Sequence, residues 1–151
     1  WQPIADQARL AVPGSRAIYT SAQAPGLIYD GLAVSPQSLA ARPQDWAKVI
    51  KVWYRILAYI NDPKTHADAL KIMAARDGVS PQIYQRYVKG THLLSLAEAK
   101  AAFVPGPGLN SVYGSDENSN AFNVRNKVYK TPQDVKLYIN GSLIDAYKEG
   151  N

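Results

Sequence analysis

The sequence contains no cysteine. This absence excludes disulfide bonds, thiolate metal sites and cysteine nucleophiles, and it is compatible with an exported bacterial protein. No apolar run approaches the roughly 20 residues that a membrane-spanning helix needs, and the first residues do not form a basic and apolar signal segment. The 151 residues predict one domain. A hydrophobic content of 46% with 19% charged residues is typical of a folded chain.

Motifs for catalysis and metal binding are also lacking. His66 and His92 are far apart and belong to no H-x-x-x-H or H-E-x-x-H pattern. No G-x-S-x-G motif occurs, and the Gly-Pro-Gly of residues 106–108 lacks the Lys-Ser/Thr of a phosphate-binding loop. The adjacent Asp116 and Glu117 lie in a polar stretch and are interpreted as solvated. The sequence therefore predicts no catalytic residue, no metal site and no cofactor.

The net charge of +5 raises the question of nucleic acid. The 17 Lys and Arg residues are spread along the chain, and their densest group is residues 125–130. A solvated basic surface is the preferred interpretation, with no nucleic-acid partner.

Secondary-structure patterns predict an α/β fold that is rich in helices. Residues 16–21 and 27–34 have the apolar, β-branched and aromatic composition of strands, and residues 91–96 form either a third strand or an extended crossing. Asp30 is the one carboxylate in the second segment. Two strands cannot form a stable sheet alone, so this inventory of two to three strands suggests that part of the fold is missing.

The helix of residues 44–60 has the strongest periodicity, with apolar residues at i, i+3, i+4 and i+7. The predicted buried stripe comprises Trp46, Val49, Ile50, Trp53, Ile56, Leu57 and Ile60. Shorter helices are predicted after the Ser-Pro or Asp-Pro caps at Ser35, Asp62 and Ser80. Ser95 with Glu98 predicts a capping box. Residues 114–120 are predicted as a loop or an exposed helical turn.

A family resemblance appears in the order of these segments. In sequence come "WQP" with a helix, "TSA", "PGLIYDGLAV", a helix with two tryptophans that ends in "YIND", then "ALKIMAARDGVSPQIY" and "LLSLAEAKAAF". This order resembles the C-terminal half of the periplasmic substrate-binding proteins of ABC importers, in the branch for nitrate, taurine, alkanesulfonates and thiamine-precursor pyrimidines. The resemblance covers nearly the whole chain, although no single motif in it is specific.

The resemblance implies part of a two-lobe, type II periplasmic-binding-protein-like fold. Residues 1–34 would end one lobe and supply a cleft-crossing strand, and residues 35–151 would complete the other lobe. Family members are longer, and this chain begins with Trp1 rather than Met. The chain is therefore interpreted as a fragment, whose companion is the missing N-terminal half of the same protein or a second copy of this chain.

The function implied by the resemblance is solute capture for an ABC importer, with a small organic ligand in an interlobe cleft. The partner would be an ABC permease, and the location periplasmic or lipid-anchored outside the cytoplasm. Trp1 is predicted to stack on the ligand and Asp30 to accept a hydrogen bond from it. Alternatively, Asp30 is a structural acid that binds an Arg or backbone N–H groups. Relatives often carry an acid where this chain has Gln2, which leaves the ligand's charge open.

Two other functions stay open from the sequence. One is a thiamine-pyrimidine synthase-like enzyme on the same fold, which the lack of cysteine disfavours. The other is a basic protein-interaction module, which would fold as a monomer of this length.

Overall fold

The structure, a computed structural model, describes residues 4–148. Within that range the chain forms eight α-helices and two short 3-10 turns, Ser21–Gln23 and Val135–Leu137. The helices are α1 (Ile4–Ala11), α2 (Pro36–Ala41), α3 (Pro43–Asn61), α4 (His66–Arg76), α5 (Pro81–Val88), α6 (Leu96–Ala102), α7 (Val112–Arg125) and α8 (Ser142–Ala146).

The predicted α/β fold with two to three strands is wrong, because residues 4–148 contain no strand. Residues 16–20, 27–35 and 91–95 have no regular structure. Their strand-like composition is a context-dependent preference that takes effect only against a neighbouring strand. In residues 27–34, side chains make the contacts instead: the Ser115 hydroxyl donates to the Leu27 carbonyl (3.3 Å), and the Tyr29 hydroxyl donates to the Leu109 carbonyl (2.9 Å).

The described chain divides into two compact units. Residues 4–23 and 56–93 belong to the first, in which α4 packs against α5. Residues 24–55 and 94–148 belong to the second, in which α6 packs against α8 and α7 against the turn Val135–Leu137. The buried apolar residues of the first unit are Leu57, Ala69, Leu70 and Ala74. Those of the second are Ile50, Tyr54, Leu96, Ala99, Ala102 and Val135. The predicted division into lobes at residue 34 stays a prediction.

Helix α3 is confirmed, but its buried stripe is only partly the predicted one. Ile50 and Leu57 are buried, together with Tyr54, whose ring stacks on Tyr147 with 5.2 Å between centroids. Val49, Trp53 and Ile56 are 42–48% exposed, contrary to the prediction. Apolar residues cover more than half of the circumference of this helix, so periodicity alone does not select the face that is buried.

Most predicted caps are confirmed. The hydroxyls of Ser35 and Ser80 accept hydrogen bonds from backbone N–H groups of the first helical turn, and Ser95 with Glu98 forms the predicted capping box. The helix start at Asp62 is wrong, because α4 begins at His66. The Asp62 carboxylate accepts from the backbone N–H of Lys64 (2.9 Å) and so closes a turn before the helix.

Helix α7 is longer than the loop or single helical turn predicted for residues 114–120. Ser111 caps it by accepting a hydrogen bond from the backbone N–H of Tyr113. The buried residues of the helix are Gly114, Ser115 and Asn120. Because these are small or polar, the helix has no apolar stripe by which the sequence would reveal it.

Candidate functional site

Only one of the two predicted ligand-binding residues, Asp30, lies within the described residues. Trp1 lies outside the described residues. Asp30 is exposed and lies in the irregular segment 27–35, not on the strand that was predicted to carry it. Its carboxylate forms no ion pair or hydrogen bond with any of residues 4–148. The interpretation of Asp30 as a structural acid therefore has no supporting contact within residues 4–148. Its ligand-binding role stays a prediction.

The second unit contains a depression of about 320 Å³ that the sequence did not predict. That volume is within the range of small-molecule sites. A loop, helix α7 and the turn Val135–Leu137 form its walls. The lining residues are Pro105, Gly106, Pro107, Tyr113, Glu117 and Lys136. We call this depression the second-unit pocket.

The loop wall of the second-unit pocket is fixed by close backbone approach to α7. A Cβ atom at Gly114 would overlap the backbone of Gly108 and would lie 2.7 Å from the Gly106 carbonyl oxygen. The Ser111 hydroxyl donates to the Val104 carbonyl (2.8 Å), which holds the start of the loop on the same helix end. The missing side chain at Gly114 therefore sets the position of the loop.

The opposite wall is fixed by an amide pair. The buried Asn120 side chain donates to the Gln133 carbonyl (2.7 Å) and accepts from the Gln133 backbone N–H (3.1 Å). The Asp134 carboxylate then accepts from the backbone N–H of Lys136 (3.0 Å), and Val135 is buried. These contacts position the turn that presents Lys136 to the pocket.

The polar groups of the second-unit pocket carry both signs of charge. Tyr113 and Glu117 lie four residues apart and thus on one face of α7. The Tyr113 hydroxyl donates to the Ile139 carbonyl at 3.4 Å. Glu117 and Lys136 are exposed, and neither forms an ion pair with any described residue. The pocket can therefore offer a carboxylate to a donor and an ammonium group to an acceptor.

Tyr138, two residues after Lys136, has a raised pKa. Partial burial, and then the nearby Asp116 carboxylate, raise the pKa of Tyr138 above its usual 10.0. Both causes disfavour the phenolate. Tyr138 is therefore a neutral hydrogen-bonding group near neutral pH.

No group of three His, Asp or Glu residues within residues 4–148 is placed to bind a metal ion. The ring Nδ1 of His66 lies 2.7 Å from the Ile60 carbonyl oxygen. None of the helices within residues 4–148 is long and apolar enough to cross a bilayer.

Comparison with known proteins gives no relative. The chain matches no protein-family model, no curated protein and no solved structure.

Sequence reasoning missed the second-unit pocket because it missed α7. The sequence predicts solvated charges at Asp116 and Glu117, and its Gly-Pro-Gly at residues 106–108 lacks the residues of a phosphate-binding loop. The available signals were Ser111 as a cap and the four-residue spacing of Tyr113 and Glu117. The contact between Lys136 and this site depends on the Asn120–Gln133 pairing, for which the sequence contains no local signal.

Proposed function

We propose that this chain takes part in solute capture for an ABC importer and binds a small organic ligand. Two observations support the proposal. One is the order and spacing of segments that resemble importer substrate-binding proteins. The other is the second-unit pocket, whose size suits a small molecule and whose lining combines two prolines, a tyrosine and two opposite charges.

The pocket is the single structural observation on which the proposal depends. Its lining residues converge from three separate elements, two of which supply the polar side chains, and side-chain hydrogen bonds tie the loop and the turn to α7. Preorganisation of this kind lowers the entropic cost of binding. Pro105, Pro107 and Tyr113 offer apolar and planar surface, while Glu117 and Lys136 select for charge.

The proposal includes the partners that solute capture needs. An ABC permease would receive the ligand, and the location would be periplasmic or lipid-anchored outside the cytoplasm. Trp1 and Asp30 are proposed as further ligand contacts, in a complete site to which a companion polypeptide contributes.

A ligand screen tests the proposal on this chain. The probes are nitrate, taurine, methanesulfonate and an aminopyrimidine, added to ¹⁵N-labelled protein and followed by amide chemical shifts. We expect one of them to shift the amides of residues 104–117 and 135–138 saturably. The matched variants are Glu117→Gln and Lys136→Met, which remove one charge each. Asp145→Asn is the control because it removes an exposed charge elsewhere in the same unit.

Two results decide between acceptance and rejection of the proposal. Saturable shifts at the pocket support it if binding weakens in either pocket variant and is unchanged in Asp145→Asn. Absence of saturable shifts with all four probes contradicts it, as does binding that neither pocket variant changes.

A further inference from the structure

Helix α3 carries an exposed apolar stripe in addition to its buried face. Val49, Val52, Trp53 and Ile56 follow the i, i+3, i+4, i+7 spacing and are each 42–49% exposed. Because Ile50, Tyr54 and Leu57 occupy the buried face, this second set is not needed for that packing. We call these four residues the α3 stripe.

A basic sector borders the α3 stripe. With 3.6 residues per turn, Lys48, Lys51 and Arg55 fall between the stripe and the buried face of the helix. Lys48 pairs with Asp45 (3.2 Å), whereas Lys51 and Arg55 form no ion pair with any described residue. The helix thus presents three faces: one buried, one apolar and exposed, and one cationic.

We propose that the α3 stripe docks into an apolar groove of a different polypeptide whose rim is acidic. Trp53 is the anchor, because buried tryptophans dominate interface energetics. The rim of the groove is proposed to be acidic because Lys51 and Arg55 would face it. Neither of these cations has an ion-pair partner among residues 4–148. A second copy fits less well, because antiparallel pairing of two α3 helices brings their basic sectors together and each chain carries +5.

Two designed peptides test the groove chemistry without knowledge of the natural partner. Both are amphipathic helices with one leucine face, and they differ only in the residues flanking that face, which are glutamate in one and lysine in the other. Fluorescence anisotropy of the labelled peptides gives their affinities for the intact chain. We expect the glutamate peptide to bind at least about tenfold more tightly.

Variants assign the binding to the α3 stripe. Trp53→Gln should abolish it, and Lys51→Glu with Arg55→Glu should reverse the preference in favour of the lysine peptide. The control is Lys71→Glu with Lys89→Glu, which makes the same charge change at exposed positions outside α3 and should leave the preference unchanged. Circular dichroism checks that each variant keeps its helix content.

Three results would overturn the proposal. They are equal or absent binding of the two peptides, a preference that the α3 variants do not change, and self-association. For the last, sedimentation velocity of the chain alone would show a dimer that Trp53→Gln dissociates, which makes the occupant a second copy.

Discussion

At the scale of single residues, Asp30 has no described function in the fold. It is exposed, and its carboxylate has no partner among residues 4–148. Asp30→Asn should therefore change the free energy of unfolding by less than about 0.5 kcal/mol. If the carboxylate binds the solute, the same change should weaken binding by about 1.5–3 kcal/mol, measured by calorimetric titration with the probe that binds. A variant that binds normally and melts much lower would make Asp30 a structural acid.

Gly114 permits the contact between α7 and the loop of the second-unit pocket. Gly114→Ala places a methyl group against the backbone of Gly106 and Gly108, which a flexible side chain cannot relieve. We expect a loss of about 1–3 kcal/mol from overpacking, measured by urea unfolding. Gly106→Ala is the control, because a Cβ there meets no atom within 4 Å. Equal losses in the two variants would contradict the close approach.

Tyr59 reports on the start of α4. Its hydroxyl donates to the Asp68 carboxylate at 2.7 Å, and this hydrogen bond, with smaller contributions from desolvation and the Asp68 charge, raises the Tyr59 pKa above 10.0. The phenolate cannot donate, so the stabilisation is present below pH 10 and is lost as the pH rises through the raised value. Asp68→Asn should lower the Tyr59 pKa, measured by ¹³C-tyrosine NMR, with Asp77→Asn as control. An unchanged titration would contradict the hydrogen bond.

At the scale of elements, α3 has a buried face and a separate apolar face that is exposed. Ile50 is 9% exposed and Trp53 is 47% exposed. In the chain alone, Ile50→Ala should cost about 2–4 kcal/mol through lost burial and a cavity. Trp53→Ala should cost only about 1–1.5 kcal/mol, because half of its surface is already in water.

Lys51→Ala, on the basic sector, should change stability by less than about 0.5 kcal/mol. Thermal and urea unfolding measure all three, and a Trp53 cost equal to that of Ile50 would show that the stripe is covered.

The elements that sequence predicts well are those with local determinants. Ser35, Ser80 and Ser95 cap helices as predicted, since a cap needs only the residues of one turn. Residues 27–34 were wrongly predicted as a strand, because a strand depends on a neighbour that no local pattern specifies. The second-unit pocket was missed for the same reason: Gly114 and Asn120 act through residues distant in the sequence. Local chemistry thus predicts the starts of α2, α5 and α6, while the pocket arises from tertiary contacts.

At the scale of the whole molecule, the surface that the chain leaves exposed limits its stability. Among residues 4–148, ten hydrophobic residues are buried, whereas twenty large hydrophobic residues are exposed. The heat-capacity change of unfolding should therefore be smaller than the roughly 2 kcal/mol/K expected of a compact domain of this length. The urea m-value should fall in the same proportion. Calorimetry and urea titration of the chain at micromolar concentration measure both, with sedimentation to establish the monomer. A monomer with one cooperative transition and a full-sized heat-capacity change would show that the chain folds without a companion. If a companion polypeptide supplies the missing burial, its addition to a chain with reduced values should raise the melting temperature and the m-value together.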